Sequence, residues 1–311
     1  MLSSPEFAAK LALTRFNLGS ELVYAIALKQ AQYPTYVLRD QAADARLEIV
    51  TERGGLVSHW QLQGRDVLYF DAERFADASK SVRGGIPILF PICGNLPDNT
   101  YTLDGQNYPL KQHGFARDLA WEVSDRGTDQ SAHLTLILNS NEETQQVYPF
   151  DFQLAFTYRL QGNTLTIEQQ VTNRSDQPMP FSLGLHPYFL TTDKSQLKFE
   201  IPSNRYQDQI SKDIHTFNGE FDWTAAEIDI AFFNLERPSA VVTNYEQETR
   251  LTLEWSEAYP VLVFWTVAGK DYYCLEPWTG PRNAFNTGDH LITLPPHATQ
   301  TLQVKLTAEL I

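Results

Sequence analysis

The sequence predicts an all-β protein, a large sandwich of antiparallel sheets. Three observations predict it: apolar and polar residues alternate along many short stretches, turn dipeptides separate neighbouring stretches, and no succession of strand and helix patterns exists to build a parallel sheet. Expected strands cover residues 36–38, 46–50, 57–62 and 67–70. Asp104-Gly105 then separates two short β-prone runs, 101–103 and 106–108, and both turn residues accept the positive φ of a tight hairpin. Residues 133–138 alternate strictly, and Gly162-Asn163 joins a strand over 154–160 to one over 165–171. Residues 203–221 are polar, aromatic and without a clear period, and read as a long loop covering a site. Strands over 251–255, 261–267 and 301–306 complete the pattern.

At 311 residues the chain has the length of one large β domain or two ordinary ones. No linker, repeat or low-complexity tract divides it, so residues 23–311 are read as one domain after an extension of residues 1–22. Phe7, Leu11, Leu13 and Phe16 would share one side of a short helix in that extension, and no apolar core with a small-residue cleavage site marks a signal peptide. No run approaches the roughly 18 apolar residues that a membrane helix needs, so no membrane partner is expected. The net charge of −14 excludes nucleic acid, which demands a basic surface to displace counterions. An anionic substrate would need a local group of arginines or lysines to overcome that field. Cys93 and Cys274 lie far apart and form neither a disulfide framework nor a CxxC metal site, which points to the reducing cytoplasm.

Three segments carry candidate chemistry: Lys111-Gln112-His113-Gly114-Phe115-Ala116-Arg117, Gly184-Leu185-His186-Pro187-Tyr188-Phe189 and Cys274-Leu275-Glu276-Pro277-Trp278. Two imidazoles and a carboxylate, converging on one small molecule, supply an acid, a base and an orienting donor. His186 precedes proline and is biased to extended backbone at a strand end. Glu276 follows an apolar run, and a buried carboxylate is costly enough to suggest a task. His59, His133, His215, His290 and His297 have no such context and are assigned no chemistry.

Together these segments resemble the aldose 1-epimerase (galactose mutarotase-like) family, near its hexose-6-phosphate branch. The resemblance runs from about Arg46 to the carboxyl terminus and is most specific in Arg83-Gly84-Gly85-Ile86-Pro87-Ile88-Leu89-Phe90-Pro91 followed by Gln112 to Arg117. It implies a β-supersandwich that interconverts the α and β anomers of a sugar with neither metal nor organic cofactor. It further implies that Glu276 is the base on the anomeric hydroxyl, His186 the acid on the ring oxygen and His113 a further donor. For His186 to give a proton near neutrality its pKa should lie near 7, which Glu276 would encourage.

The resemblance also places Arg83, Arg117, Gln112, Asp229 and Trp278 at the substrate, with Tyr188 and Phe90 as further aromatic candidates. The segment around Asp229 matches loosely, leaving Asp222 and Glu227 as alternatives. Arg83 and Arg117 stand where the sugar-phosphate branch would hold a phosphate, and paired guanidinium forks suit that anion. Glu276-Pro277-Trp278-Thr279-Gly280 looks closer to relatives acting on neutral sugars. The expected substrate is therefore a free aldohexose, with its 6-phosphate as the alternative. Other classes are a non-catalytic carbohydrate-binding module, a metal-dependent enzyme using His113, His186 and Glu276, and a glycosidase, which normally needs two facing acids.

Overall fold

The computed structural model describes residues 23–311. The expectations for residues 1–22 lie outside that range. Strands dominate, and every paired ladder is antiparallel, as the period-two alternation requires. A five-stranded sheet comes first among the described residues, running in order through Tyr24–Lys29, Thr35–Asp40, Ala45–Val50, Leu56–Leu62 and Arg65–Asp66. Residues 67–70, expected as a strand, make only isolated bridges, Leu68 to Phe189 and Phe70 to Gly84. Their partners are single residues in other segments, so no continuous ladder forms.

Two eight-stranded sheets make the body of the sandwich. The first contains Ala132–Asn139, Phe152–Gln161, Thr164–Asn173, Thr249–Trp255 and Thr299–Leu310. Alternate residues of Phe152–Gln161 are buried along its length, which is how the 3.3–3.4 Å rise and alternating side chains of a strand express a half-buried sheet. Both anticipated hairpins form. Gln161 pairs with Thr164 around Gly162, and Leu103 with Gln106 around Asp104 and Gly105, both at positive φ.

The second large sheet holds Glu227–Phe232, Val261–Val267 and Tyr272–Trp278 side by side, followed by Gly184–Leu185 and Ile88–Leu89. Residues 203–221 do not form the expected loop over the site. They contribute Arg205–Asp208 and Ile214–Thr216, a hairpin that extends the edge of this sheet, because Tyr206, Gln207 and Asp208 find ladder partners in Phe232, Ala231 and Ile230.

The sheet divides its side chains between two faces. Ile230, Phe232, Leu262, Phe264, Tyr273 and Leu275 enter the main core, which also contains Leu134, Phe156 and Leu306 of the other large sheet. The intervening residues, among them Asp229, Trp265, Cys274, Glu276 and Trp278, therefore face the other way. All seven residues of Tyr272–Trp278 are buried, so that second face is covered too.

Candidate active site

Strand register brings two of the three motif segments together. Gly184 pairs with Trp278, and Tyr188 pairs with Cys274, so the residue midway, His186, lies opposite Glu276. The His186 Nε2 to Glu276 Oε1 distance is 3.4 Å. His186 stacks on Tyr188 with ring centroids 4.7 Å apart and planes within 8°. Trp278 Nε1–H donates to Glu276 Oε2 at 3.1 Å, which follows from their places two residues apart on one strand.

The third segment arrives as a tight turn. His113 and Gly114 have φ of 66° and 68°, and the Gly114 Cα lies so close to the Phe90 carbonyl that a β-carbon would collide with it. Gly94 and His113 bond reciprocally: the His113 N–H donates to the Gly94 carbonyl at 2.7 Å, and the Gly94 N–H donates to His113 Nδ1 at 3.1 Å. Because Nδ1 accepts, the proton of the neutral ring sits on Nε2 and makes that atom a donor. His113 lies with its centroid 5.6 Å from His186 and 5.7 Å from Trp278.

These groups line a cavity of about 260 Å³ together with Arg83, Gln112, Arg117, Tyr188, Glu227, Asp229, Trp265 and Arg282. That is close to the lower end of the roughly 300–1,000 Å³ typical of ligand pockets, and suits one small polar molecule. All eight residues singled out from the sequence, Glu276, His186, His113, Arg83, Arg117, Gln112, Asp229 and Trp278, reach this one cavity. Phe90 does not: it is fully buried among Phe115, Tyr148, Phe152 and Phe181. Of the alternatives to Asp229, Glu227 also lines the cavity and accepts from Trp265 Nε1 at 2.6 Å, whereas Asp222 caps an exposed turn at Thr224. A larger cavity of about 360 Å³, walled by Leu62, Val67, Val242, Leu251 and Leu310 with Arg65, Asp66, Arg250 and Glu309 among its lining, brings no histidine and none of the three catalytic candidates.

Arg282 and Trp265 were not among the residues chosen from the sequence. Arg282 donates from one nitrogen to both Asp229 oxygens at 2.9 and 2.8 Å, and from the other to Asn95 at 3.2 Å. Its only sequence signal is its position four residues beyond Trp278. Trp265 carries the Arg83 guanidinium 4.7 Å from its ring centroid, a cation–π contact hidden in an ordinary strand pattern. Arg117 donates to the Gln112 carbonyl at 2.9 Å. Among the described residues, Arg83 and Arg117 form no salt bridge, in contrast to Arg282.

Burial controls the electrostatics. It pushes Glu276 well above the usual carboxylate range, aided by Asp229, while Arg282, the Trp278 N–H and Arg117 pull the other way. His186 is driven well below 6.5 by burial, then by Arg117 and Arg83, and His113 likewise by burial and by His186. The expectation of a His186 pKa near 7 is thus corrected: desolvation, Arg117, Arg83 and Arg282 outweigh the backbone hydrogen bond that pulls the other way. His186 and Glu276 lie 3.4 Å apart, and the opposite directions of their shifts place the proton between them on Glu276.

The aldose 1-epimerase family model matches residues 36–307. The chain belongs to the aldose 1-epimerase family. Within this family of carbohydrate isomerases it is similar to the Slr1438 protein of Synechocystis sp. PCC 6803, whose crystal structure superposes with a TM-score of 0.89 at 46% identity, covering 96% of this chain and all of that one. A galactose mutarotase-like protein from Clostridium acetobutylicum shares the fold, with a TM-score of 0.80 at 21% identity over 93% of this chain and 99% of its own. A protein of Cenchrus ciliaris named "Putative glucose-6-phosphate 1-epimerase" is 26% identical over 224 residues, 68% of this chain. The match spans 64% of that plant protein's length.

Proposed function

We propose that this chain is a mutarotase that interconverts the α and β anomers of an aldohexose at the His186–Glu276 pair. The observation that carries the reading is the 3.4 Å separation of His186 Nε2 and Glu276 Oε1 at the floor of a polar cavity. The anomeric hydroxyl and the ring oxygen of a sugar are bonded to the same carbon, so a base for one and an acid for the other can act together only if both reach that carbon's two oxygens, which neighbouring groups in one cavity do. Ionised Glu276 removes the anomeric hydroxyl proton, and the O–H electron pair becomes the aldehyde C=O. The C1–O5 bond breaks, its electrons pass to the ring oxygen, and His186 protonates it. Rotation about C1–C2 presents the other carbonyl face. On closure His186 takes the proton back and Glu276 returns its own, so the pair ends as it began. His113 Nε2–H supplies a fixed donor to developing charge on oxygen.

Burial keeps the proton on Glu276 at rest, so it must pass to His186 before the reaction; Arg282, the Trp278 N–H and Arg117 act on the carboxylate side of that balance, while Arg117 and Arg83 oppose a charged His186. The facing pair of acids that glycoside hydrolysis normally uses has less support, because Asp229 is engaged by Arg282. A pure binding module has no need of a buried, unfavourably ionised carboxylate beside a histidine.

A hexose 6-phosphate is the second reading, favoured by the unbridged Arg83 and Arg117 in the same cavity. The name of the Cenchrus ciliaris relative agrees with it. Residues 23–311 act as one catalytic domain in this proposal, and the two unpaired cysteines accord with a reducing, cytoplasmic setting. NMR measurement of anomer exchange after EDTA treatment, with glucose, galactose and glucose 6-phosphate, tests it. Faster exchange of free hexoses supports the first reading, a preference for the phosphate supports the second, and no acceleration of any of them refutes both.

A further inference from the structure

We propose that His186, Cys274 and Glu276 form a site for a thiophilic divalent cation such as Zn²⁺, occupied in competition with the sugar. The three side chains are buried, and one ligand atom from each lies within 4.8 Å of the others. Tetrahedral zinc binds nitrogen and oxygen at about 2.0–2.2 Å and thiolate sulfur at about 2.3 Å, which sets its ligands roughly 3.3–3.8 Å apart. The His186–Glu276 separation of 3.4 Å already has that value. The sulfur joins the set from the same strand as Glu276, two residues away on the same face; it lies within 4.8 Å of the other two ligand atoms, so a shift of up to about 1 Å brings it to coordinating distance.

The chemistry of the three donors agrees. Imidazole, thiolate and carboxylate are all zinc ligands, and three protein ligands with an open fourth position is the arrangement that leaves room for water. His186 and Glu276 line the cavity, which gives the ion its route in, while Cys274 is buried beside Tyr188 and Tyr272 and closes the site from within. Coordination expels the Cys274 proton to solvent, together with any proton on Glu276, so two anionic ligands balance the charge of the ion. Arg83 and Lys194 near Cys274, and Arg117 and Arg282 near Glu276, oppose the ion and hold its affinity below that of a closed structural site. The set differs from the sequence-based alternative of His113, His186 and Glu276, since Cys274 replaces His113. Its consequence is inhibition, because the ion occupies the acid and the base together.

Titration of the EDTA-treated full-length protein with Co²⁺ and Zn²⁺ tests this. The expected result is one ion per chain, a cobalt–thiolate charge-transfer absorption, and inhibition by Zn²⁺ that raises KM without lowering kcat. Cys274→Ala and the near-isosteric Cys274→Ser should abolish the absorption and weaken binding by at least about 100-fold, the upper end of the loss for merely supporting residues. Anomer exchange by the metal-free variants should match wild type. Cys93→Ala should leave the absorption intact. The proposal is overturned if wild type shows no thiolate band, if the Cys274 variants titrate like wild type, or if Cys93→Ala removes the band. The band is read without sugar, so it reports on the metal site even where anomer exchange proves not to be accelerated.

Discussion

Replacing Glu276 by glutamine exposes both what burial of this carboxylate contributes and what it costs. Glutamine keeps the shape and an acceptor for the Trp278 N–H, but cannot take a proton from the anomeric hydroxyl. Loss of a general base lowers catalysis by about 10²- to 10⁴-fold, with sugar binding retained. Stability should move in the opposite direction. Burial raises the Glu276 pKa well above 4.5, so from pH 4.5 up to the folded-state pKa the unfolded chain has released a proton that the folded chain keeps. Over that window ionising Glu276 costs the wild type about 1.4 kcal/mol for each pH unit of increase relative to the variant, since the histidines contribute to both proteins. The variant and wild type should therefore be similar near pH 4, and the variant should gain steadily as pH rises until the difference levels off. Urea unfolding at pH 4, 5, 6 and 7, alongside NMR anomer exchange, reads both effects. Parallel stability profiles would refute the buried-carboxylate argument, and exchange within a few-fold of wild type would remove Glu276 as the base.

The neutral histidines act with the opposite sign. Because His113 and His186 are held below 6.5, an unfolded chain takes up protons that the folded one refuses as pH falls through 6.5, so each costs up to about 1.4 kcal/mol per pH unit on acidification. That slope should be steepest in Glu276→Gln, where no carboxylate offsets it, and His113→Asn in that background should reduce it by one histidine's share in the same urea series. Arg83→Met and Arg117→Met should each raise KM for glucose 6-phosphate by roughly 10- to 100-fold, the worth of a charged hydrogen bond, and leave free glucose within a few-fold. Equal effects on both sugars would take the phosphate away from these residues. Gly114→Ala should destabilise by about 2–4 kcal/mol, seen as a lower urea midpoint, since its β-carbon meets the Phe90 carbonyl at a φ of 68°. An unchanged midpoint would mean that the turn carrying His113 tolerates repositioning.

Much of the fold is legible in particular residues. Alternation at 133–138 and the turn residues Gly162-Asn163 predict local geometry, because a strand's two faces and a turn's positive φ are properties of a few adjacent residues. The error at 203–221 has a local cause too. Its strands are three and four residues long, shorter than a period can be recognised in, and they depend on pairing, Arg205–Asp208 with Glu227–Phe232 and Ile214–Thr216 with Arg205–Asp208.

The sequence by itself determined the sandwich, the family resemblance and all eight residues proposed for the site, since motif segments keep residue type and spacing together. Tertiary structure decided what those residues can do. Register between segments ninety residues apart sets His186 opposite Glu276, and pairing across separate segments ties Arg282 to Asp229 while leaving Arg83 and Arg117 unbridged among the described residues. Protonation was decided there as well: His186 is lowered rather than tuned to neutrality because desolvation and long-range charge depend on everything folded around a group, and no neighbouring residue in the chain records them.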